Sequence, residues 1–301
     1  MSSNAAATPE WTRRQERGSL LAFRFIVWLS LLLGRGPARA AIGAAIPYFL
    51  VFGGKSARAS CEFLTRCLGR RPTLAERYRH YFAFAATVHD RVFFLRDRFE
   101  LFDLEVHGAE CFDERGAVLM GAHLGSFEAL RAAGRGLGGK RIAMAMYEGT
   151  GRKVNTALAA VAPHLQDDVV PLGRLDAMLE LNARLEQGAL VGVLADRTLE
   201  GDAQGALECS FLGRAARFPL GPMRMAAALR TRVIFMTALY RGGNRYEIHF
   251  EPIADFSGAR GVRAERDAQV REAVRAYVAR VEHHVRSAPS NWFNFYSFWD
   301  S

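Results

Sequence analysis

Apolar positions along the chain change their spacing twice. Two nearly unbroken apolar runs come first, Leu20 to Leu33, interrupted by Arg24 and Ser30, and Ala40 to Phe52, interrupted by Pro47. From residue 56 to 99 the apolar positions recur at helical spacing, including Phe63, Leu64, Leu68, Tyr81, Phe82, Phe84, Val88, Val92 and Phe93. Arg70, Arg71 and Pro72 punctuate that stretch. From Leu101 the character becomes alternating. Short apolar runs at 101–106, 117–122, 141–147, 169–172, 190–194 and 233–240 are separated by helical stretches, which predicts a largely parallel sheet. Gly242, Gly243 and Asn244 then form a turn into 245–252, where Tyr246, Ile248 and Phe250 alternate with Glu247, His249 and Glu251 as in a half-buried hairpin strand. A long helix follows from about Val262 to Arg286. The expected fold is α/β, a mostly parallel mixed sheet flanked by helices. An N-terminal helical region, residues 1–99, leads into an α/β core at 100–301, the two forming one continuous domain.

The apolar runs raise the question of a membrane. At about 1.5 Å per residue each falls short of a hydrocarbon core of roughly 30 Å, which favours an interfacial or re-entrant helix over a span. Arg13, Arg14 and Arg17 precede the first run, and Arg35 and Arg39 separate the two. On this reading they face anionic headgroups on the cytoplasmic side of a membrane. A cleaved signal peptide is a rival without a clean small-x-small site behind the first run, and two core helices of a soluble domain are another. The charge is asymmetric in the same sense. The net charge is +9, and residues 1–98 carry sixteen Arg and Lys against six Asp and Glu, so the rest is near neutral. The basic residues are almost all Arg, which suits phosphate contact, although genomic base composition gives the same bias. No groove-binding motif or aromatic interleaving supports nucleic acid as a partner. Half the residues are hydrophobic and 24% are charged, which excludes a disordered chain. Four scattered cysteines suggest neither a disulfide framework nor a zinc ribbon.

Some patterns are set aside on physical grounds. Gly134, Gly136 and Gly139 satisfy G-x-G-x-x-G, but the run follows a helix and precedes a strand. A phosphate loop needs the opposite order, so these glycines read as a helix stop and turn. There is no G-x-S-x-G elbow, and His283-His284 reads as a solvated pair on the late helix rather than a metal site.

The stretch Val118 to Leu130 is more informative. An apolar strand delivers His123 to its carboxyl end, Gly125 permits a tight turn, Ser126 suits an N-cap, and Glu128 falls in the first turn of the next helix. Ligands of open α/β sheets bind at such strand ends. A carboxylate on one imidazole nitrogen fixes the tautomer and frees the other nitrogen to take a hydroxyl proton, a base-and-orienter pair without a protein nucleophile. Asp196 follows the 190–194 strand, so parallel pairing brings it to the same sheet edge. Its neighbour Arg197 either binds a phosphate or phosphopantetheine oxygen or pairs with Asp196. Backbone N–H groups around Gly125, or a nearby guanidinium, are available to an oxyanion. Arg152, Lys153, Arg174, Arg214 and Arg217 are further anion contacts, each also readable as a solvated surface charge. The aromatic residues of 292–299 either anchor at a bilayer interface or cap the core.

Four segments together resemble the lipid A late acyltransferases. They are His123-Leu-Gly-Ser-Phe-Glu128, Leu-Ala-Asp196-Arg197, Phe211-Leu-Gly-Arg-Ala-Ala-Arg-Phe-Pro-Leu-Gly-Pro222 and the C-terminal Trp-Phe motif, in order over nearly the whole chain. The His-x4-acid box alone is shared with many glycerolipid acyltransferases; its combination with the other segments is more specific. The resemblance implies a glycerolipid-acyltransferase-like fold and an inner-membrane enzyme. It would move a fatty acyl group from acyl carrier protein to a hydroxyl of a membrane lipid or glycolipid, with His123 as general base, Glu128 its orienter, and no metal or held cofactor. Gly125, Ser126, Arg152, Arg174, Asp196, Arg197 and Arg214 would contact substrate. The chain departs from the family in reading Asp196-Arg197 where Asp-Gln is usual, and in its NWFNFYSFW ending. Both are similar to acyltransferases that accompany aryl-polyene synthesis, which opens a different amphiphile as acceptor. A catalytically inactive membrane scaffold is the alternative of another class, opposed by the intact His123 and Glu128.

Overall fold

A computed structural model describes residues 34–136, 142–147, 169–172, 175–198, 205–258 and 262–299. The first apolar run lies outside them, as do Arg13, Arg14, Arg17, Lys140, Arg152, Lys153 and Arg174.

Among the described residues three helices lead in: α1 (Arg35–Phe52), α2 (Lys55–Leu68) and α3 (Leu74–Phe94). The start of α3 is written into the sequence. Thr73 Oγ1 accepts the Glu76 N–H at 3.2 Å while the Glu76 carboxylate accepts the Thr73 N–H at 2.7 Å, a reciprocal capping box. The α/β part follows as β1 (Asp103–His107), β2 (Ala117–Gly121), α4 (Phe127–Gly136), β3 (Ile142–Tyr147), β4 (Val169–Leu172), α5 (Leu175–Glu186), β5 (Leu190–Leu194), a hairpin of β6 (Ala206–Phe211) and β7 (Arg214–Pro219), α6 (Gly221–Ala228), β8 (Arg232–Gly242), β9 (Arg245–Asp255) and α7 (Arg263–Ser287). Among the described residues seven strands form one sheet in the order β1-β9-β8-β2-β5-β3-β4, and every neighbouring pair is parallel except the antiparallel β8–β9 hairpin. This is the expected mixed, mostly parallel sheet. The β6–β7 hairpin was not among the expected strands; it lies apart from the main sheet.

Helices cover both faces, and β2 is buried throughout because of it. Val118 and Met120 join α2, α6 and α7 in one core, whereas Ala117 and Leu119 join α3 and α4 in the other. At roughly 1.5–3 kcal/mol for each large apolar side chain buried, these two layers supply most of what holds the sheet in place. The C-terminal aromatics belong to the core: Trp292, Phe293, Phe298 and Trp299 are all buried. His80 of α3 ties them down, its Nε2 donating to the Trp292 carbonyl at 2.8 Å while the Ser60 hydroxyl of α2 meets Nδ1 at 2.7 Å.

Two expectations are corrected here. Arg35 and Arg39 do not serve a headgroup surface; both guanidinium groups turn inward onto Asp90 of α3, whose side chain is fully buried. Arg35 meets it at 2.6 and 2.8 Å, Arg39 on Oδ2, and the Tyr246 hydroxyl donates to it at 2.7 Å. A buried carboxylate needs opposite charge and donors, and α1 supplies them. Likewise His284 is no solvated residue. It is 3% exposed, stacks on Phe235 and meets Glu251, while His283 alone faces outward.

Among the described residues no single helix is long and apolar enough to cross a membrane; α1 and α2, bent by 95°, reach that length and composition only as a pair. Tyr48, Phe49, Val51 and Phe52, at the end of α1, are exposed.

Candidate active site

The register of β2 against β5 builds the site. Gly121 stands opposite Leu194, and the Ala195 N–H donates to the Gly121 carbonyl at 2.9 Å, so the pairing continues past both strands. Two residues beyond each strand end, His123 and Asp196 meet. His123 Nδ1 lies 2.8 Å from Asp196 Oδ1, the His123 backbone N–H donates to Oδ2 at 3.0 Å, and the Trp292 indole donates to Oδ2 at 3.3 Å. Asp196 is 1% exposed. Burial by itself favours its neutral acid, but the charge and hydrogen bonds of His123, with the charge of Arg197, hold the carboxyl well below the usual range. An ionised Asp196 can only accept, so Nδ1 carries a proton and Nε2 keeps its lone pair. Burial pulls the imidazole below its ordinary value, Arg197 pushes the same way, and Asp196 opposes both. The His123 side chain is still 32% exposed, and no described residue hydrogen-bonds Nε2. The arrangement is a neutral imidazole, fixed in tautomer, with its basic nitrogen open.

The turn after His123 explains its glycine. Gly125 has φ +77°, and a Cβ there would stand 1.9 Å from the Ala238 carbonyl oxygen, so only glycine lets the turn lie against β8. Ser126 caps α4 as expected, its Oγ accepting the Ala129 N–H at 3.2 Å. The C-terminal segment closes the other side: the Phe293 N–H donates to the His123 carbonyl at 2.8 Å, and the Gly125 N–H donates to the Asn291 carbonyl at 2.9 Å.

Several assignments change accordingly. The carboxylate on the ring is Asp196, whereas Glu128, in the first turn of α4, gives its Oε1 to Arg91 Nε at 2.6 Å. α3 packs beside α4 and presents that guanidinium, so the carboxylate that meets the His123 ring is Asp196 and not Glu128. The backbone N–H groups expected to serve an oxyanion are also committed, Gly125 to Asn291 and Ser126 to the Ala238 carbonyl at 2.8 Å. Arg197 points onto the C-terminal segment, with its guanidinium over the Tyr296 ring and 3.5 Å from the Phe293 carbonyl. Arg214 sits on the β6–β7 hairpin, 3.8 Å from Glu62. Arg152, Lys153 and Arg174 lie outside the described residues. Sequence reasoning missed Arg91 and the indole of Trp292 as partners of the site's carboxylates. The Trp-Phe motif signalled the second; nothing in local spacing signals the first.

The family model for bacterial lipid A biosynthesis acyltransferases matches residues 73–301. The chain belongs to that family. As a member of the lipid A biosynthesis acyltransferase family it is an acyltransferase, and its acceptor is a lipid. Among solved structures the chain is similar to the 1-acyl-sn-glycerophosphate (LPA) acyltransferase PlsC from Thermotoga maritima, at 18% identity and a TM-score of 0.37, over 81% of this chain and 95% of that one. No curated protein matches the sequence.

Proposed function

We propose that the protein transfers a fatty acyl group from acyl carrier protein to a hydroxyl of a membrane lipid, with His123 as general base and Asp196 as its orienter. The observation that carries this reading is the His123–Asp196 pair, one nitrogen tied to a buried carboxylate and the other open. Nε2 takes the hydroxyl proton as the oxygen attacks the thioester carbonyl carbon. The oxyanion collapses, the carbon–sulfur bond breaks, and the imidazolium returns the proton to the departing thiolate. Arg197, one residue after Asp196 with its guanidinium over the Tyr296 ring, is the positive charge we assign to the oxyanion. Glu128 holds Arg91 beside the site.

We place the work at the cytoplasmic face of the inner membrane, a reading supported by the exposed aromatic end of α1. Arg197, standing where the family reads Gln, favours an acceptor other than lipid A, such as an aryl-polyene lipid. The test is transfer of labelled acyl groups from acyl carrier protein to a total lipid extract by wild type, His123→Ala, Asp196→Asn and Glu128→Gln. Label in one lipid, abolished by His123→Ala and cut more by Asp196→Asn than by Glu128→Gln, is the expected result, and the labelled lipid names the acceptor. A Glu128→Gln enzyme that fails while Asp196→Asn works would return the orienting role to Glu128. Full transfer by His123→Ala would sink the mechanism, and no transfer by the wild type would favour the scaffold.

A further inference from the structure

On another part of the sheet, five side chains with metal-ligating groups gather from three elements. The alternation of β9 sends Tyr246, Ile248 and Phe250 into the core, which puts Glu247, His249 and Glu251 on the opposite face. The parallel register of β1 sets His107 opposite His249, and α7 lays the buried His284 across it. Ring centroids of His107 and His249 are 4.8 Å apart, and those of His249 and His284 are 4.7 Å apart. Ligand atoms of His249, Glu251 and His284 all fall within 4.8 Å of one another. His249 Nε2 is buried and makes no directed hydrogen bond, although Glu247 Oε1 stands 2.9 Å away. Acyl transfer, as derived above, uses none of these groups.

We infer that His249, Glu251 and His284 form a binding site for one divalent transition-metal cation of the zinc class. Two imidazoles and one carboxylate are the donor set such ions take, with a position left for water, whereas magnesium and calcium prefer oxygen throughout. The surroundings aim the ligands. Arg280 Nε holds Glu251 Oε2 at 3.0 Å and leaves Oε1, which faces His284 Nε2 at 2.6 Å; Phe235 stacks on the His284 ring and fixes its plane. The cation takes the place of that hydrogen bond, and the displaced proton leaves to His284 Nδ1 or to solvent. The overlapping group of His107, Glu247 and His249 is more exposed, and Arg241 Nε occupies Glu247 Oε2 at 2.5 Å. A bound ion cross-links α7 to β9 and stabilises the fold by mass action.

The test uses the full-length chain, freed of any histidine tag, with Co2+ as the spectroscopic probe. One equivalent binds, produces visible ligand-field absorption and a higher unfolding midpoint, and is displaced by Zn2+. His249→Gln and Glu251→Gln lose the bound equivalent, with circular dichroism checking that each remains folded. His123→Ala and His107→Gln keep it. Absence of stoichiometric binding in wild type, retention in folded His249→Gln and Glu251→Gln, or loss in His123→Ala or His107→Gln would each overturn the assignment.

Discussion

Two buried carboxylates in this molecule are treated in opposite ways. Asp90 is hydrogen-bonded by Arg35, Arg39 and the Tyr246 hydroxyl, with His89 Nδ1 beyond hydrogen-bond reach at 3.9 Å, and none of the groups that bond it has a proton to exchange near neutral pH. Asp196 is equally buried, but its main partner is an imidazole whose far nitrogen is open. The first carboxylate is cancelled by charge and pins α1 to the core; the second bonds a ring whose other nitrogen is open, the arrangement the proposed mechanism uses. Burial of an acid therefore does not mark a catalytic centre. What marks it is a titratable partner with an unfinished hydrogen-bond set.

The comparison can be broken from either side. The largest effect is expected from His123→Ala, which should lower acyl transfer by about 10²–10⁴-fold in protein that still folds. A comparable loss of stability with the loss of activity would make His123 structural. Asp90→Ala should do the reverse. Two half-buried guanidinium groups left without their carboxylate cost about 3–5 kcal/mol of stability, read by denaturant unfolding, while activity per folded molecule persists.

Acid should expose a related difference. His80 and His89 are buried and held at about 4, in both cases by desolvation, so each stays neutral in the folded chain. An unfolded histidine binds its proton below about 6.5, so the unfolded state binds more protons between those values. Stability should fall as pH drops from about 6.5 toward 4, by roughly a few kcal/mol, and unfolding midpoints across that window test it. Replacing His80 by Gln should flatten part of the slope.

Asp196→Asn should lower activity about ten- to hundredfold, the worth of one charge-assisted hydrogen bond. Because Asp196 supports the protonated ring, its loss should also move the acid limb of the rate profile to lower pH. An unmoved limb would separate Asp196 from the base. The smallest change expected is Ser126→Ala, about 1 kcal/mol from the lost α4 cap, with activity following only if the cap also positions His123. Membrane docking is better tested at Tyr48, Phe49 and Phe52 than by deleting residues 1–54, because deletion also removes Arg35 and Arg39 from Asp90. Their joint replacement by Ser should reduce sedimentation with anionic vesicles.

Much of this was legible along the chain. Alternation and spacing gave most of the strands, the β8–β9 hairpin and the long C-terminal helix, because hydrophobic period follows from local backbone geometry. The strand-turn-helix around His123 was legible for the same reason, as were the Ser126 cap and the placing of Asp196 at the same sheet edge. The β6–β7 hairpin was not, since Arg214 to Arg217 interrupts the apolar pattern. Choosing between Glu128 and Asp196 was beyond spacing. Glu128 is nearer in sequence, but α3 offers it Arg91, a group no local pattern connects to it. The inward turn of Arg35 and Arg39 was hidden likewise, because arginines beside an apolar run look the same whether they meet headgroups or a buried acid.

The sequence by itself determined the elements, the residue types at the sheet edge and the membership of an acyltransferase family, since each depends on composition and order within short windows. The tertiary structure alone decided which carboxylate bonds the His123 ring, which backbone donors are already committed, and which charges are spent on holding the chain together. Those outcomes rest on angstrom-scale distances between segments far apart along the chain, fixed by strand register and helix packing.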